Sequence, residues 1–300
     1  MSDLFTATTA AEVEEALARG QDIEEEKRGR LFETVTPLIS ACERGELEVV
    51  DCLLNHGADP NHFLRSLTTP LHTAVQEGYA AIAERLIKAG ANVNSAWEDT
   101  SVLILASQEG HVDVVDCLLS LGADTEATNA ERKTALIESS MKGNVDVVDR
   151  LLAAGANVNS VDQNNISALM WAAAEGHLAI VDRLVVHGAE FNTQSKWGWN
   201  ALMEACEEDR SDVIDRLLSL NCDLNAKDNG GRTVLMRACA KGKIDLVRLL
   251  LDHGADPLIC DKARKRAIDL AAGSPEIQIL LNGLILLSFH HHHHVIRLED

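Results

Sequence analysis

The chain is poor in aromatic side chains: Phe, Trp and Tyr make up 3% of its 300 residues, with one Tyr and four Trp. Large rings usually carry much of the burial in cores and interfaces, so this core must be built from Leu, Val, Ile and Ala. Each Trp then needs a reason of its own. Proline is also scarce, at five residues, which excludes a proline-rich linker. Basic groups are outnumbered, 27 against 47 acidic, for a formal net charge of −20. That balance argues against nucleic acid, where affinity comes from Lys and Arg neutralising phosphates, and against anionic membrane surfaces. Seven Cys occur without C-x-x-C spacing, so no zinc framework is written in the sequence. The most apolar stretch, ILLNGLILLSF near the C-terminus, is too short and too interrupted to span a bilayer. The opening MSDLFTATTAAEVEEAL is polar and acidic rather than a signal peptide. With free thiols, this leads to the expectation of a reducing, cytoplasmic setting. Phosphate-binding loops, dinucleotide fingerprints, H-E-x-x-H and G-x-S-x-G are all missing, so no catalytic residue is expected.

What the sequence has in abundance is self-similarity. Thr36, Thr69, Ser101, Thr134, Ser167, Asn200, Thr233 and Arg266 open related segments spaced by 33 residues, once by 32. A period of this length signals a stacked repeat. Counting from the opening residue as zero, small or apolar residues fall at positions two, five and six, as in Leu71, Ala74 and Val75. They define one face of a short helix, with Thr as its N-cap and Pro tolerated in its first turn. Gly at position nine (Gly45, Gly78, Gly110, Gly143, Gly176, Gly242) ends that helix. A second helix follows, with apolar residues at 11, 14, 17 and 18, such as Val145, Val148, Leu151 and Leu152. Neither helix is long enough to stand alone in water, so each copy must stack on its neighbours.

Thr69-Pro70-Leu71-His72, Thr36-Pro37-Leu38 and the recurring Gly-Ala-Asp and Gly-Ala-Asn tails resemble the ankyrin repeat. The resemblance implies an all-α solenoid of stacked helix-turn-helix units, each with a short hairpin finger, the fingers and first helices lining a concave side. The expected organisation is an N-terminal capping copy over residues 1–35, seven repeats over 36–265, a truncated C-terminal cap over 266–289, and a His-rich, disordered tail over 290–300. The connection before Thr36 is longer than the others, so the first finger carries an insertion. The copy opened by Asn200 is irregular, with Asp209 in place of Gly and Asn221-Cys222 in place of Gly-Ala. It is expected to be the weakest interior unit, because a lone left-handed non-glycine residue costs roughly 1 kcal/mol. Cys42, Cys206 and Cys239 share position six and read as small core residues. His72, His111 and His177 recur at fixed repeat positions and read as structural, and the Asn of each tail as a brace for its finger.

Residues that break the pattern on the finger and first-helix side carry the functional information. In the fingers these are Arg65, Trp97, Glu98, Lys133, Lys196, Trp197, Trp199 and Arg232. Trp171 sits at position four of a first helix, while Met141, Glu207 and Glu208 belong to the floor between fingers. Trp and Arg are the residue types most enriched at binding hot spots. Trp97 lies three copies before Trp197, on the order of 30 Å away if neighbouring helices pack about 10 Å apart, which suits a protein or an extended peptide rather than a small molecule. Residues 227–266 hold ten basic and five acidic side chains, leaving the rest strongly acidic and favouring a basic partner. Inter-repeat ion pairs are expected between Glu204 and Arg237 and between Glu208 and Lys241. The reading is therefore a monomeric, non-enzymatic protein-interaction module without cofactor or metal. The alternative is a metal-binding or enzymatic protein using the His290–His294 tract or an unrecognised site. Asp223-Leu224-Asn225 also resembles segments that asparaginyl hydroxylases modify in ankyrin repeats.

Overall fold

The computed structural model describes residues 1–28, 34–64 and 68–296, with side chains to residue 287. Two compact units are present, Met1–Gln163 and Asn164–Asp300. The first contains α1 (Ala10–Ala18), β1 (Lys27–Arg28), β2 (Thr34–Val35), α2 (Pro37–Arg44), α3 (Leu47–Asn55), α4 (Pro70–Glu77), α5 (Ala80–Lys88), β3 (Ala96–Trp97), β4 (Thr100–Ser101), α6 (Val102–Glu109), α7 (Val112–Ser120), α8 (Ala135–Lys142) and α9 (Val145–Ala153). The second contains α10 (Ala168–Glu175), α11 (Leu178–Val186), α12 (Ala201–Glu207), α13 (Ser211–Ser219), α14 (Val234–Ala240), α15 (Ile244–Asp252), α16 (Ala267–Leu270) and α17 (Pro275–Ile296). The architecture is all-α, helix pairs stacked repeat on repeat within each unit, with short hairpins between them.

The expected start signals act as N-caps. The hydroxyls of Thr36, Thr69, Ser101, Thr134, Ser167 and Thr233 each accept a hydrogen bond from the backbone N–H three residues on, and the Asn200 side chain does the same for Met203 at 2.9 Å. Arg266, which has no such oxygen, is capped in reverse by Asp269, whose carboxylate accepts the Arg266 N–H at 2.9 Å. Burial follows the repeat: the Leu at position 17 (Leu53, Leu86, Leu118, Leu151, Leu184, Leu217, Leu250) is fully buried in each of the seven full repeats. Cys42, Cys206 and Cys239 are buried as expected, and burial pushes the Cys206 thiol up to about 12.

The glycine at position nine serves two purposes. It adopts the left-handed conformation, for example φ +82° at Gly78 and +79° at Gly176. It also leaves room for the next copy. A Cβ at Gly78 would lie 3.0 Å from the His111 ring, and one at Gly176 would lie 2.8 Å from Arg210 Cδ. The residue that crosses this gap caps the preceding first helix. His111 Nε2 lies 3.0 Å from the Gln76 carbonyl, Asn144 Nδ2 donates to Ser107 O at 2.8 Å, and Arg210 Nε donates to Ala174 O at 2.8 Å. In the irregular copy Asp209 takes the left-handed conformation (φ +56°), and Lys243 reaches both its carboxylate (2.8 Å) and Cys206 O (3.1 Å). The glycine-to-aspartate change is thus matched by an ammonium at the crossing position.

The fingers are zipped to one another. Lys196 N–H donates to Asn164 O, Asn229 N–H to Trp197 O and Lys262 N–H to Gly230 O, all within 3.0 Å. Gly198 is forced by this approach, because a Cβ there would lie 2.8 Å from the Asn229 nitrogen. The tail asparagines brace the turns as expected, Asn225 Oδ1 accepting the Asp256 N–H at 3.0 Å. The last helix packs through Ile277 and Leu281, while Ile279, Leu286 and Leu287 are exposed. Among the described residues no helix is long and apolar enough to cross a membrane.

Candidate functional site

The position-four side chains of neighbouring first helices and the finger between them line an open cavity of about 500 Å³ in the second unit. Its walls are Met170, Trp171 and Ala174 from α10, Asn164 and Ile166 from one finger, Trp197 and Trp199 from the next, and Glu204 from α12. The Trp pair is held rigidly from below. Ser195 Oγ accepts the N–H groups of both Trp197 and Trp199 at 3.3 Å, and the Ser195 N–H donates to Trp199 O at 2.7 Å. Backbone hydrogen bonds thus hold the finger, and Trp197 remains 46% exposed.

Charge is arranged tightly around the rings. The Arg237 guanidinium lies 3.9 Å from the Trp199 ring centre, and the Lys196 ammonium lies 4.7 Å from that of Trp197. The ion pairs differ from the expected ones. Glu207, not Glu204 or Glu208, collects both basic groups: Arg237 at 3.3 Å and Lys241 in close contact, with Arg237 also bridging to Asp228 at 3.2 Å. Arg237 is instead drawn onto the Trp199 ring, Asp228 and Glu207. Partial burial works against ionisation of Glu207, but the hydrogen bonds from Lys241 and Arg237 outweigh it and hold the carboxyl below its usual range. Glu204 is left on the cavity wall without a hydrogen-bonded partner. Burial, then the charges of Glu208 and Glu207, push its carboxyl up to about 7 against the opposing pull of Arg237.

The other expected residues lie in varied surroundings. Trp97, on the β3–β4 hairpin of the first unit, is 37% exposed and packs edge-on against His72 with ring centres 5.5 Å apart. Glu98 beside it is exposed in a left-handed turn at φ +45°. Lys133 is buried, its ammonium 2.6 Å from Glu131 and 4.0 Å from the Met141 sulfur. Arg232 donates to Asp261 of the next finger at 3.4 Å. Arg65 lies outside the described residues. The structure thus gathers Trp171, Trp197 and Trp199 around one cavity and places Glu207 and Arg232 in ion pairs nearby or with the next finger. Glu204 and Met170 complete the cavity. Glu204 could have been found from sequence, since it occupies the same repeat position as Trp171 one copy on, and equivalent positions of stacked copies are neighbours. Among the described residues no group of three or more His, Cys, Asp or Glu is placed to hold a metal ion.

A family model for ankyrin repeats matches three times, over residues 7–97, 103–195 and 169–261. Among curated proteins, the chain is 38% identical over 97 residues to the ankyrin repeat and KH domain-containing protein mask of Drosophila melanogaster, covering 31% of this chain and 2% of that protein. It is 29% identical over 101 residues to ankyrin repeat and SOCS box protein 9 of Mus musculus, covering 34% of this chain and 35% of the relative. A third match, to the human ankyrin repeat and KH domain-containing protein 1, is 34% identical over 103 residues and covers 4% of that protein. The matches span about a third or less of the relatives' own length. With the repeat geometry and the family model in agreement over most of its length, the chain belongs to the ankyrin-repeat family, whose repeats generally serve as protein-interaction modules.

Proposed function

We propose that this chain is a non-enzymatic adaptor that binds a basic protein or extended peptide on its finger and first-helix surface, with the cavity of Trp171, Trp197 and Trp199 as the anchor. The observation that carries this is the cavity itself. Three of four Trp in an aromatic-poor chain line one 500 Å³ opening instead of a core. Partly exposed Trp in a well-supported finger has the character of a hot spot, an apolar body held in one orientation by its backbone. The net charge of −20 and the carboxyl groups of Glu204, Glu207 and Glu208 favour a positively charged partner. Trp97 and Glu98 are proposed as binding residues of the first unit in their own right, and the protein is proposed to work as a monomer.

The test is a paired affinity capture from lysate followed by direct titration of the captured protein. One bait is the full chain, and the other carries Trp171→Ala, Trp197→Ala and Trp199→Ala, with its fold checked by circular dichroism. A protein that binds the first bait directly and loses at least tenfold in affinity for the second supports the proposal. Equal binding to both moves the binding surface elsewhere. A third bait lacking residues 290–300 is expected to bind as the intact chain does, and loss of binding with that deletion would favour the His tract instead.

A further inference from the structure

We infer that the cavity is an ammonium cage that takes the side chain of an N-methylated lysine from the basic partner. The inference rests on the proposed anchor and assigns its chemistry. The lining residues are Trp171, Trp197 and Trp199 with Met170, Ile166 and Ala174, and the polar members are Glu204 and Asn164. An aromatic ring attracts a cation through its quadrupole, and aromatic cages are the recurrent solution for alkylated ammonium groups. The rings here already show that preference, since Arg237 lies over Trp199 and Lys196 over Trp197.

Methylation suits the wall. An unmodified lysine ammonium brings three N–H donors that need acceptors once desolvated. The lining offers them one carboxylate and the already engaged Asn164 among otherwise apolar side chains, so stripping water from three donors costs more than stripping it from a methylated ammonium. Each methyl group removes a donor and adds apolar surface that the indoles can cover, while the positive charge persists. The volume fits: about 500 Å³ accommodates a trimethylammonium group with several methylenes of its stem. Glu204 then supplies the counter-charge. The charged groups that act on it are Glu208 at the end of its helix, Glu207 on that helix and Arg237 on α14. Of these, Glu207 is neutralised by Arg237 and Lys241, which leaves Glu204 as the uncommitted carboxyl at the cavity. A bound cation favours its ionised form, so binding and deprotonation are linked.

The probe is Nα-acetyl-Nε-trimethyl-lysine amide, compared with the unmethylated lysine amide and with the uncharged isostere carrying a tert-butyl group in place of trimethylammonium. The full chain is labelled with 5-fluorotryptophan, and its four ¹⁹F resonances are assigned with single Trp→Phe variants. At pH 8 the trimethyl probe should shift the resonances of Trp171, Trp197 and Trp199 and leave that of Trp97 in place, while the isostere and the unmethylated amide bind about tenfold more weakly. Binding should weaken as pH falls from 8 to 6, and Glu204→Gln should bind more weakly at pH 8 with no such pH dependence. No shift up to about 50 mM probe, on the range expected for one isolated side chain, would overturn the inference. So would equal binding of the isostere, which would make the cavity a plain apolar slot. Either failure leaves the proposed function standing if the Trp-dependent partner is still captured, whereas probe binding without any such partner would retain the cage and reject the adaptor.

Discussion

Replacing Glu204 by Gln should stabilise the protein only above about pH 4.5, with the gain growing until about pH 7. The Glu204 carboxyl is pushed up from 4.5 to about 7 in the folded chain, first by burial and then by Glu208 and Glu207. Below pH 4.5 both folded and unfolded chains carry the proton, so the site contributes its full share of stability. Between the two values the folded chain holds a proton that the unfolded chain has lost, and stability falls as pH rises. Above 7 both are ionised and the folded state carries the whole penalty. At 1.36 kcal/mol per unit the interval corresponds to about 3 kcal/mol. The cavity leaves the carboxyl partly open to solvent, and screening brings the expected effect to about 1–2 kcal/mol. Gln has the same shape and no proton to lose. Urea unfolding of both proteins at pH 4.5, 6 and 8, followed by Trp fluorescence and circular dichroism, reads the difference. With a slope of about 1–3 kcal/mol per molar, the variant's midpoint should coincide with the wild type's at pH 4.5 and exceed it by roughly 0.5–1 M at pH 8. A constant offset at all three pH values, or a less stable variant at pH 8, would refute the reasoning and show that Arg237 compensates the buried carboxylate.

Further outcomes follow from the packing. Gly176→Ala should lower the unfolding midpoint more than Gly188→Ala. Both glycines are left-handed, at φ +79° and +87°, but only at Gly176 does a Cβ meet Arg210, at 2.8 Å. The backbone alone accounts for roughly 1 kcal/mol in each, and the excess at Gly176 measures the crossing contact. Leu184→Ala should cost about 2–5 kcal/mol through the cavity it leaves, whereas Leu258→Ala, at a side chain 41% exposed, should change stability by about 0.5 kcal/mol or less. Thr233→Ala removes the cap on the Met236 N–H at 3.3 Å and should cost about 1 kcal/mol. Its partial rescue by Thr233→Asn would identify the hydrogen bond as the cause.

The repeat was legible in the sequence because its signals are local. A hydroxyl before a short apolar face caps a helix whatever surrounds it, and Gly78 or Gly176 ends one for reasons contained in a single backbone angle. Period, helix placement, the buried Leu at position 17 and the inert cysteines all follow from such local or strictly periodic rules. So did the aromatic outliers, since Trp171, Trp197 and Trp199 stand out against a repeat that has no use for them. Three-dimensional packing decided how those residues meet. It drew Arg237 onto the Trp199 ring and gave Glu207 the ion pairs that spacing had assigned to Glu204 and Glu208. It buried Lys133 beside Glu131 and Met141, and it answered the aspartate at position 209 with Lys243 from the following copy. Each of these depends on which of several nearby groups a long, flexible side chain reaches, and on how much solvent remains there. The sequence by itself determined the stack and its unusual residues; only the tertiary structure decided that three of them, with one uncommitted carboxyl, share a single cavity.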